Sequence, residues 1–414
     1  MALKNTFCAA PWFQVRIDWD GQYRPCCGLV EKNSEFKGRS QYSIKDTTVD
    51  EWMSSEYSQY LRKNLTEGIQ LKECDSCWQK EKHNVKSFRQ NANNTVTKNQ
   101  HNNLDNTWVK LFVDKNQNYQ NYQIVLADVK LSNICNFSCA MCSPFNSSKV
   151  YDKWQSNLDN KFVQERLLQE PTFLKDIAST YQNKRGYQHL QDILNQPLRY
   201  IKVLGGEPTL DKDLFRVLDQ VPVAKKSKIH IELVTNGSQD LVEISKKLQD
   251  YKLVSYTISL EGIGNIQDYV RSGSHWPTIE QHILDAKNNG IYVNINYTMQ
   301  AMSILNLHEL LKWCSDNQIP ISFGILDYPG HLAVSVLPKN IRDSISDNLC
   351  KISGANIINS EDNMNISSID NIIELINTSP ELSKNDSNFL EYVAWFEEKS
   401  LKKLRDIQPL FYTG

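Results

Sequence analysis

The sequence predicts an α/β protein of six βα units, an open parallel sheet or a partial, six-unit (β/α) barrel, with a small metal-stapled module before it and a helical extension after it. Three observations predict this. From Ile124 onward, apolar strand-like runs alternate with amphipathic helical stretches. Unusual short motifs follow the first four of those runs, and most of the ten cysteines fall into two groups of short spacing.

The bounds agree with a globular chain. Its 414 residues, 40% of them hydrophobic, can bury a sizeable core. Lys+Arg 46 against Asp+Glu 48 leaves a net charge of -2, which gives no bulk electrostatic case for nucleic acid or an anionic membrane. The stretch MALKNTFCAAPWF lacks a long apolar core, and no window approaches the roughly 18 apolar residues of a membrane span. The expected location is the cytoplasm, where cysteines serve as metal ligands, catalytic groups or core residues more often than as disulfides.

In chain order, residues 1–89 hold five cysteines, a Trp-rich short-strand pattern and helical stretches near Glu51 to Asn64 and Cys77 to Arg89, as in a metal-stapled module. Residues 90–123 are crowded with Asn and Gln and read as a linker or insertion. Residues 124–328 carry the six strand runs IVLADVKL, RYIKVLG, KIHIELVTN, LVSYTISL, IYVNINYTM and IPISFGIL, which predict a parallel sheet with helices outside it. Residues 329–414 read as helical, with segments near Lys339 to Lys351, Ser367 to Asn377 and Asn388 to Arg405.

The loops after the strands carry the chemistry. CNFSCAMC follows the first strand, GGEP the second, TNG the third and SLEG the fourth. In parallel α/β folds the C-terminal ends of the strands are where ligands bind, so four motifs are placed around one site. Cys135-x3-Cys139-x2-Cys142 has no fourth soft ligand nearby, unlike a closed zinc site. Three thiolates can instead hold a 4Fe-4S cluster with one iron open to a small molecule.

This combination resembles the radical S-adenosylmethionine (radical SAM) superfamily, over roughly residues 124–328. The resemblance implies that the open iron is chelated by S-adenosylmethionine (SAM), whose reductive cleavage yields a 5'-deoxyadenosyl radical. It implies that Glu207, with the backbone of Gly205 and Gly206, meets the methionyl ammonium, that Ser259 and Glu261 contact ribose and methionine with Asn236 beside them, and that Arg271 pairs with the methionyl carboxylate. Many members carry an aromatic residue before the third cysteine; here Met141 stands there, and a thioether still packs on adenine. A low-potential electron donor such as flavodoxin or ferredoxin is implied as a partner.

In the N-terminal module, Cys8, Cys26, Cys74 and Cys77 make one closed site, and spacing alone leaves structural zinc open. Gly21-x4-Cys26 followed by Cys74-x2-Cys77 resembles the SPASM/twitch auxiliary-cluster domain, which implies a second 4Fe-4S cluster. That domain ordinarily follows the barrel; here it precedes it. Cys314 and Cys350 read as structural, each beside an apolar helical stripe. Cys27 is either a spare thiol in a tight turn, an alternative ligand to Cys26, or a hydrogen-atom donor to a substrate radical. Three functions stay open: modification of a peptide or protein side chain, oxidation or epimerisation of a small polar metabolite such as a sugar, aminocyclitol or nucleoside, and a zinc-stapled binding protein.

Overall fold

The computed structural model describes residues 5–30, 33–36, 42–82, 86–98, 119–182, 185–326, 328–352, 369–378, 386–398 and 402–412. The chain forms two compact units. The first comprises residues 1–133, 174–233 and 248–254; the second comprises 134–173, 234–247 and 255–414. Among the described residues the strands make a mainly parallel eight-stranded sheet in the order β2-β1-β3-β4-β5-β6-β7-β8. They are β1 (Gln14–Ile17), β2 (Tyr23–Arg24), β3 (Leu126–Lys130), β4 (Tyr200–Leu204), β5 (His230–Thr235), β6 (Leu253–Ser259), β7 (Tyr292–Met299) and β8 (Ile321–Ile325).

The six expected strand runs are β3 to β8. The sheet does not stop at β3, however. β1, from the N-terminal module, pairs with it in parallel, and β2 pairs antiparallel with β1. Burial explains the docking. Val15 and Ile17 lie opposite Ala127 and Val129, and all four are buried on the same face as Ile201 and Val203 of β4. On the other face, strand register sets Arg16 against Asp128, Asp128 against Lys202 and Lys202 against Glu232. Arg16 bonds Asp128 directly, Lys202 lies 2.7 Å from Glu232, and Arg24 is tied to Asp18 at 3.0 Å and to Asp20 at 2.6 Å. One face of the first unit's strands is thus apolar, and the other is a ladder of alternating charge.

Around β1 a small core gathers Phe7, Ala9, Trp12 and Phe13 with Val125 and Leu126. Among the described residues, no carboxylate is bonded to the fully buried Arg62. It donates to the carbonyls of Pro11 and Tyr119 and lies over the rings of Trp12 and Tyr122. Residues 90–98, within the stretch expected as linker, belong to the helix Phe88–Lys98; residues 99–118 of that stretch lie outside the described residues.

In the second unit, β6, β7 and β8 are parallel neighbours, with Ile258, Ile295 and Ile321 buried in register. The expected C-terminal helices are Lys339–Cys350, Ile369–Thr378 and Asp386–Phe396, with a further turn at Leu404–Ile407. Residues 367–368 and 399–401 of the expected segments lie outside the described residues. Cys314 is buried as expected; Cys350 is exposed, because it ends its helix one position past the buried Leu349. No described helix is long and apolar enough to cross a membrane.

Candidate functional site

The loop carrying Cys135, Cys139 and Cys142 is held from several sides, all within the second unit. Ser138 N–H donates to Ser272 O and Ala140 N–H to Val270 O, both at 2.8 Å, so the loop runs along the segment that carries Arg271. Gly273 lets the two come close: its φ is +105°, and a Cβ there would meet Asn136 O at 3.1 Å and the Phe137 ring at 3.2 Å. Ser147, which caps the helix Ser148–Gln155, also donates to Phe137 O at 2.7 Å. From the C-terminal helix Asp386–Phe396, the Tyr392 hydroxyl donates to Ala140 O at 2.5 Å. Asn236 Nδ2 donates to Asn136 Oδ1 at 2.9 Å, so the TNG motif is bonded to the cysteine loop.

The thiols sit low in solvent exposure, Cys139 buried and the other two partly so. Burial pushes Cys139 up to about 11 against the pull of the Arg271 guanidinium. Cys142 is raised further by burial, with Cys139 and Cys135 adding to the effect. Each is therefore a thiol at neutral pH until a metal displaces its proton. Phe137 N–H points at Cys135 Sγ at 3.4 Å, a donor suited to a thiolate.

Arg271 lies between a cysteine and a glutamate. Its Nη1 is 3.9 Å from Cys139 Sγ, and its Nη2 is 2.9 Å from Glu261 Oε1. Glu261 is 0% exposed and accepts the Thr298 N–H at 3.1 Å through its other oxygen. Burial pushes its carboxyl up to about 7, opposed by Arg271 and Thr298. The structure thus brings Cys135, Cys139, Cys142, Asn236, Glu261 and Arg271 into one bonded neighbourhood. Ser259 ends β6 opposite Asn296, and Met141 is half-buried between two of the cysteines.

Gly205, Gly206 and Glu207 belong to the first unit. Gly205 has φ +139°, and a Cβ there would fall 2.5 Å from Ser132 O, the oxygen that also accepts Gly206 N–H at 2.9 Å. Glu207 is 1% exposed and accepts from the Thr209 N–H at 3.1 Å and the Thr209 hydroxyl at 2.6 Å, capping the short turn Pro208–Leu210. Thr209 thus fixes the orientation of the carboxylate.

The four cysteines of the N-terminal module come from three segments of the first unit. Cys8 and Cys77 are buried, and burial pushes the Cys26 thiol well up, with Cys27, Cys8, Cys74 and Cys77 adding to the effect. Burial pushes Cys8 up to about 12. Two residues that the spacing did not reveal organise the set. Arg89 binds Glu81 through Nη2 at 2.5 Å and Nε at 3.0 Å, and its Nη1 donates to Phe7 O, next to Cys8, at 2.7 Å. Asn93 accepts the Ala9 N–H at 2.7 Å. Both lie in the helix Phe88–Lys98, and only tertiary packing brings them to Cys8. Cys27 is exposed at its surface yet within electrostatic reach of Arg16, Asp128 and Lys202, in surroundings dense enough that burial pushes its thiol up to about 11. Among the described residues, no group of three or more His, Cys, Asp or Glu side chains is arranged to hold a single metal ion.

Comparison with known proteins gives both cysteine sets a family. A model of the radical SAM superfamily matches residues 129–314, and one of the SPASM iron-sulfur cluster-binding domain matches residues 8–78. A probable GTP 3',8-cyclase of Methanococcus aeolicus is 24% identical over 196 residues, 47% of this chain and 56% of that protein. An Fe-coproporphyrin III synthase of Methanosarcina barkeri is 25% identical over 160 residues, 38% of this chain and 39% of that protein. The chain therefore spans about half or less of the length of these curated relatives. Among solved structures, Streptococcus suis SuiB bound to S-adenosylmethionine aligns over 61% of this chain and 51% of that one at 17% identity, with a TM-score of 0.37. Native anSMEcpe with bound AdoMet and a Cp18Cys peptide aligns over 57% and 62% at 15% identity, also with a TM-score of 0.37. The two matched domains imply a SAM-binding 4Fe-4S cluster with SAM and an auxiliary iron-sulfur cluster, and a three-thiol loop and a separate four-thiol set are donors of the right softness for both. The chain carries a radical SAM superfamily domain at residues 129–314, with an SPASM iron-sulfur cluster-binding domain ahead of it at residues 8–78.

Proposed function

We propose that Cys135, Cys139 and Cys142 hold the SAM-binding cluster, that Cys8, Cys26, Cys74 and Cys77 hold the auxiliary cluster, and that the enzyme modifies a peptide or protein side chain by hydrogen abstraction. Bound SAM, reduced by one electron at the open iron, supplies the 5'-deoxyadenosyl radical. The observation that carries this reading is the three-cysteine loop held in place by Ser147, Asn236 and Tyr392, with a guanidinium set against one thiol. In this reading Gly205, Gly206 and Glu207 receive the methionyl ammonium, Ser259 and Glu261 the ribose and methionine, Arg271 the carboxylate, and Met141 the adenine. A flavodoxin- or ferredoxin-type donor in the cytoplasm supplies the electron. The domain limits in this reading are 1–89 auxiliary module, 90–123 linker or insertion, whose residues 90–98 continue the helix that carries Arg89 and Asn93, 124–328 barrel and 329–414 extension.

The peptide substrate rests on the kinship of SPASM-type modules with peptide-modifying enzymes. One observation favours a second reading, a small polar metabolite: Arg16, Asp128 and Lys202 of the charged ladder lie within electrostatic reach of Cys27, setting polar groups beside a thiol that can return a hydrogen atom. The deciding experiment incubates anaerobically reconstituted enzyme, reductant and SAM with candidate substrates in deuterium oxide and follows mass. Loss of two hydrogens from a peptide supports oxidation through the auxiliary cluster. Gain of one deuterium at carbon, abolished in Cys27→Ala, supports hydrogen return by that thiol. About eight irons per chain are expected for two clusters; one zinc with about four irons removes the auxiliary cluster. A Cys135→Ala, Cys139→Ala, Cys142→Ala triple variant that still forms 5'-deoxyadenosine sinks the assignment.

A further inference from the structure

The two thiol sets share a feature that ligand assignment leaves unused: beside each lies a guanidinium that is shared with a glutamate. In the second unit Arg271 divides its donors between Cys139 Sγ at 3.9 Å and Glu261 Oε1 at 2.9 Å. In the first unit Arg89 binds Glu81 at 2.5 Å, and its charge reaches Cys8 and Cys74. An ion pair of this kind is a poor device for stability alone, because desolvating two charges costs about as much as their attraction returns, and apolar side chains of similar volume do as well or better. Its placement against a cysteine sulfur calls for another reason.

We propose that Arg271 and Glu261 form a charge couple that sets the reduction potential of the cluster on Cys135, Cys139 and Cys142. This inference rests on the ligand assignment above and goes beyond it. One-electron reduction puts extra negative charge on a cluster and its sulfurs, so an N–H of a fixed cation aimed at a ligating sulfur stabilises the reduced state and raises the potential. A carboxylate on the far side of the same cation offsets part of that gain. The low dielectric of a site where Glu261 is wholly buried makes both effects larger than they would be in water. The couple is also rigid. Gln267 Oε1 accepts the Glu261 N–H at 2.8 Å, Gln267 O accepts the Arg271 N–H at 2.9 Å, and Thr298 N–H holds the second carboxylate oxygen. One short helix, Gly264–Val270, therefore spaces the negative charge, the positive charge and the sulfur. Arg271 acts here as a positioning residue through Cys139, whatever it contributes to binding SAM.

The test is a potentiometric titration of the anaerobically reconstituted full chain followed by electron paramagnetic resonance, in the absence of SAM. The triple cysteine variant identifies which signal belongs to this cluster; if it removes no signal, the ligand assignment has failed, and this proposal with it. With the signal assigned, Arg271→Gln is expected to disfavour reduction about tenfold, a fall of about 59 mV for a one-electron couple. Glu261→Gln is expected to favour reduction by a similar factor, because it leaves the cation uncompensated. Arg89→Gln should leave this signal in place and lower the potential of the other. If Arg271→Gln loses the cluster, Arg271→Lys and Glu261→Gln carry the test, the lysine variant falling between glutamine and arginine. Unchanged potentials, or shifts of the same sign in the Arg271 and Glu261 variants, would overturn the proposal. In that case reduced SAM affinity in Arg271→Gln would mark it as a carboxylate contact only.

Discussion

A methyl group added at Gly205 would lie 2.5 Å from Ser132 O, on a backbone at φ +139° that an L side chain rarely adopts. Neither obstacle can be relieved by rotating a side chain, since the colliding atom is a carbonyl oxygen whose position is fixed by the Gly206 N–H. Gly205→Ala is expected to destabilise the chain by about 2–3 kcal/mol. Gly264 is the fitting comparison: its φ is +59° and nothing lies within 4 Å of where its Cβ would be. There alanine should cost about 1 kcal/mol, the backbone penalty alone. Urea unfolding of the metal-free variants, side by side, measures the difference. A Gly205→Ala variant no less stable than Gly264→Ala would show that the loop relaxes around the methyl group. The GGEP motif was legible in the sequence, but the reason for its first glycine was not, because Ser132 is 73 residues away and only the pairing of β3 with β4 brings it near.

At the scale of elements, the C-terminal helix Asp386–Phe396 braces the cysteine loop through Tyr392, and His331 packs against that tyrosine and Phe162 with ring centroids at 4.5 Å and 4.7 Å. Burial, with Lys161 adding to it, pushes the His331 pKa down to about 4 from its ordinary value. Between that value and the unfolded value of about 6.5, the unfolded chain binds a proton that the folded chain refuses, so stability falls as pH falls through this window. Urea midpoints at pH 7.5 and pH 5 should therefore differ more in the parent chain than in His331→Phe, which keeps the ring and removes the proton. Equal losses in both would place the acid sensitivity elsewhere. The bracing itself could not be read from the sequence: a contact between residues 140 and 392 spans 252 positions. The strands β3 to β8 were readable because each is a run of apolar and β-branched residues between turn signals. β1 was not readable as part of the sheet. QVRI is four residues long with an arginine in the middle, and nothing local says that Asp128 is waiting for it.

That arginine matters to the whole molecule, because β1 is where the cysteine-rich N-terminal segment joins the sheet. Asp128 is 9% exposed and bonded to Arg16, which also holds Asp18 at 3.1 Å, so Asp128→Asn leaves a buried guanidinium with one counter-charge in place of two. The expected loss is about 1–3 kcal/mol, whereas the double variant Arg16→Leu, Asp128→Leu should recover most of it. A double-mutant cycle by urea unfolding measures the coupling; additive losses would mean that the two charges act independently. The four-strand ladder has a further consequence. Slide β1 by one residue along β3, and Arg16 faces Ala127 or Val129 on the apolar side while Val15 or Ile17 turns to the charged one. Slide it by two, and Asp128 meets either the uncharged Gln14 or the like-charged Asp18. Only one alignment satisfies both faces, so the sheet edge works as a lock cut for a single key: it admits the chain's own first strand in one position and turns away a stray strand that lacks a cation at the matching notch.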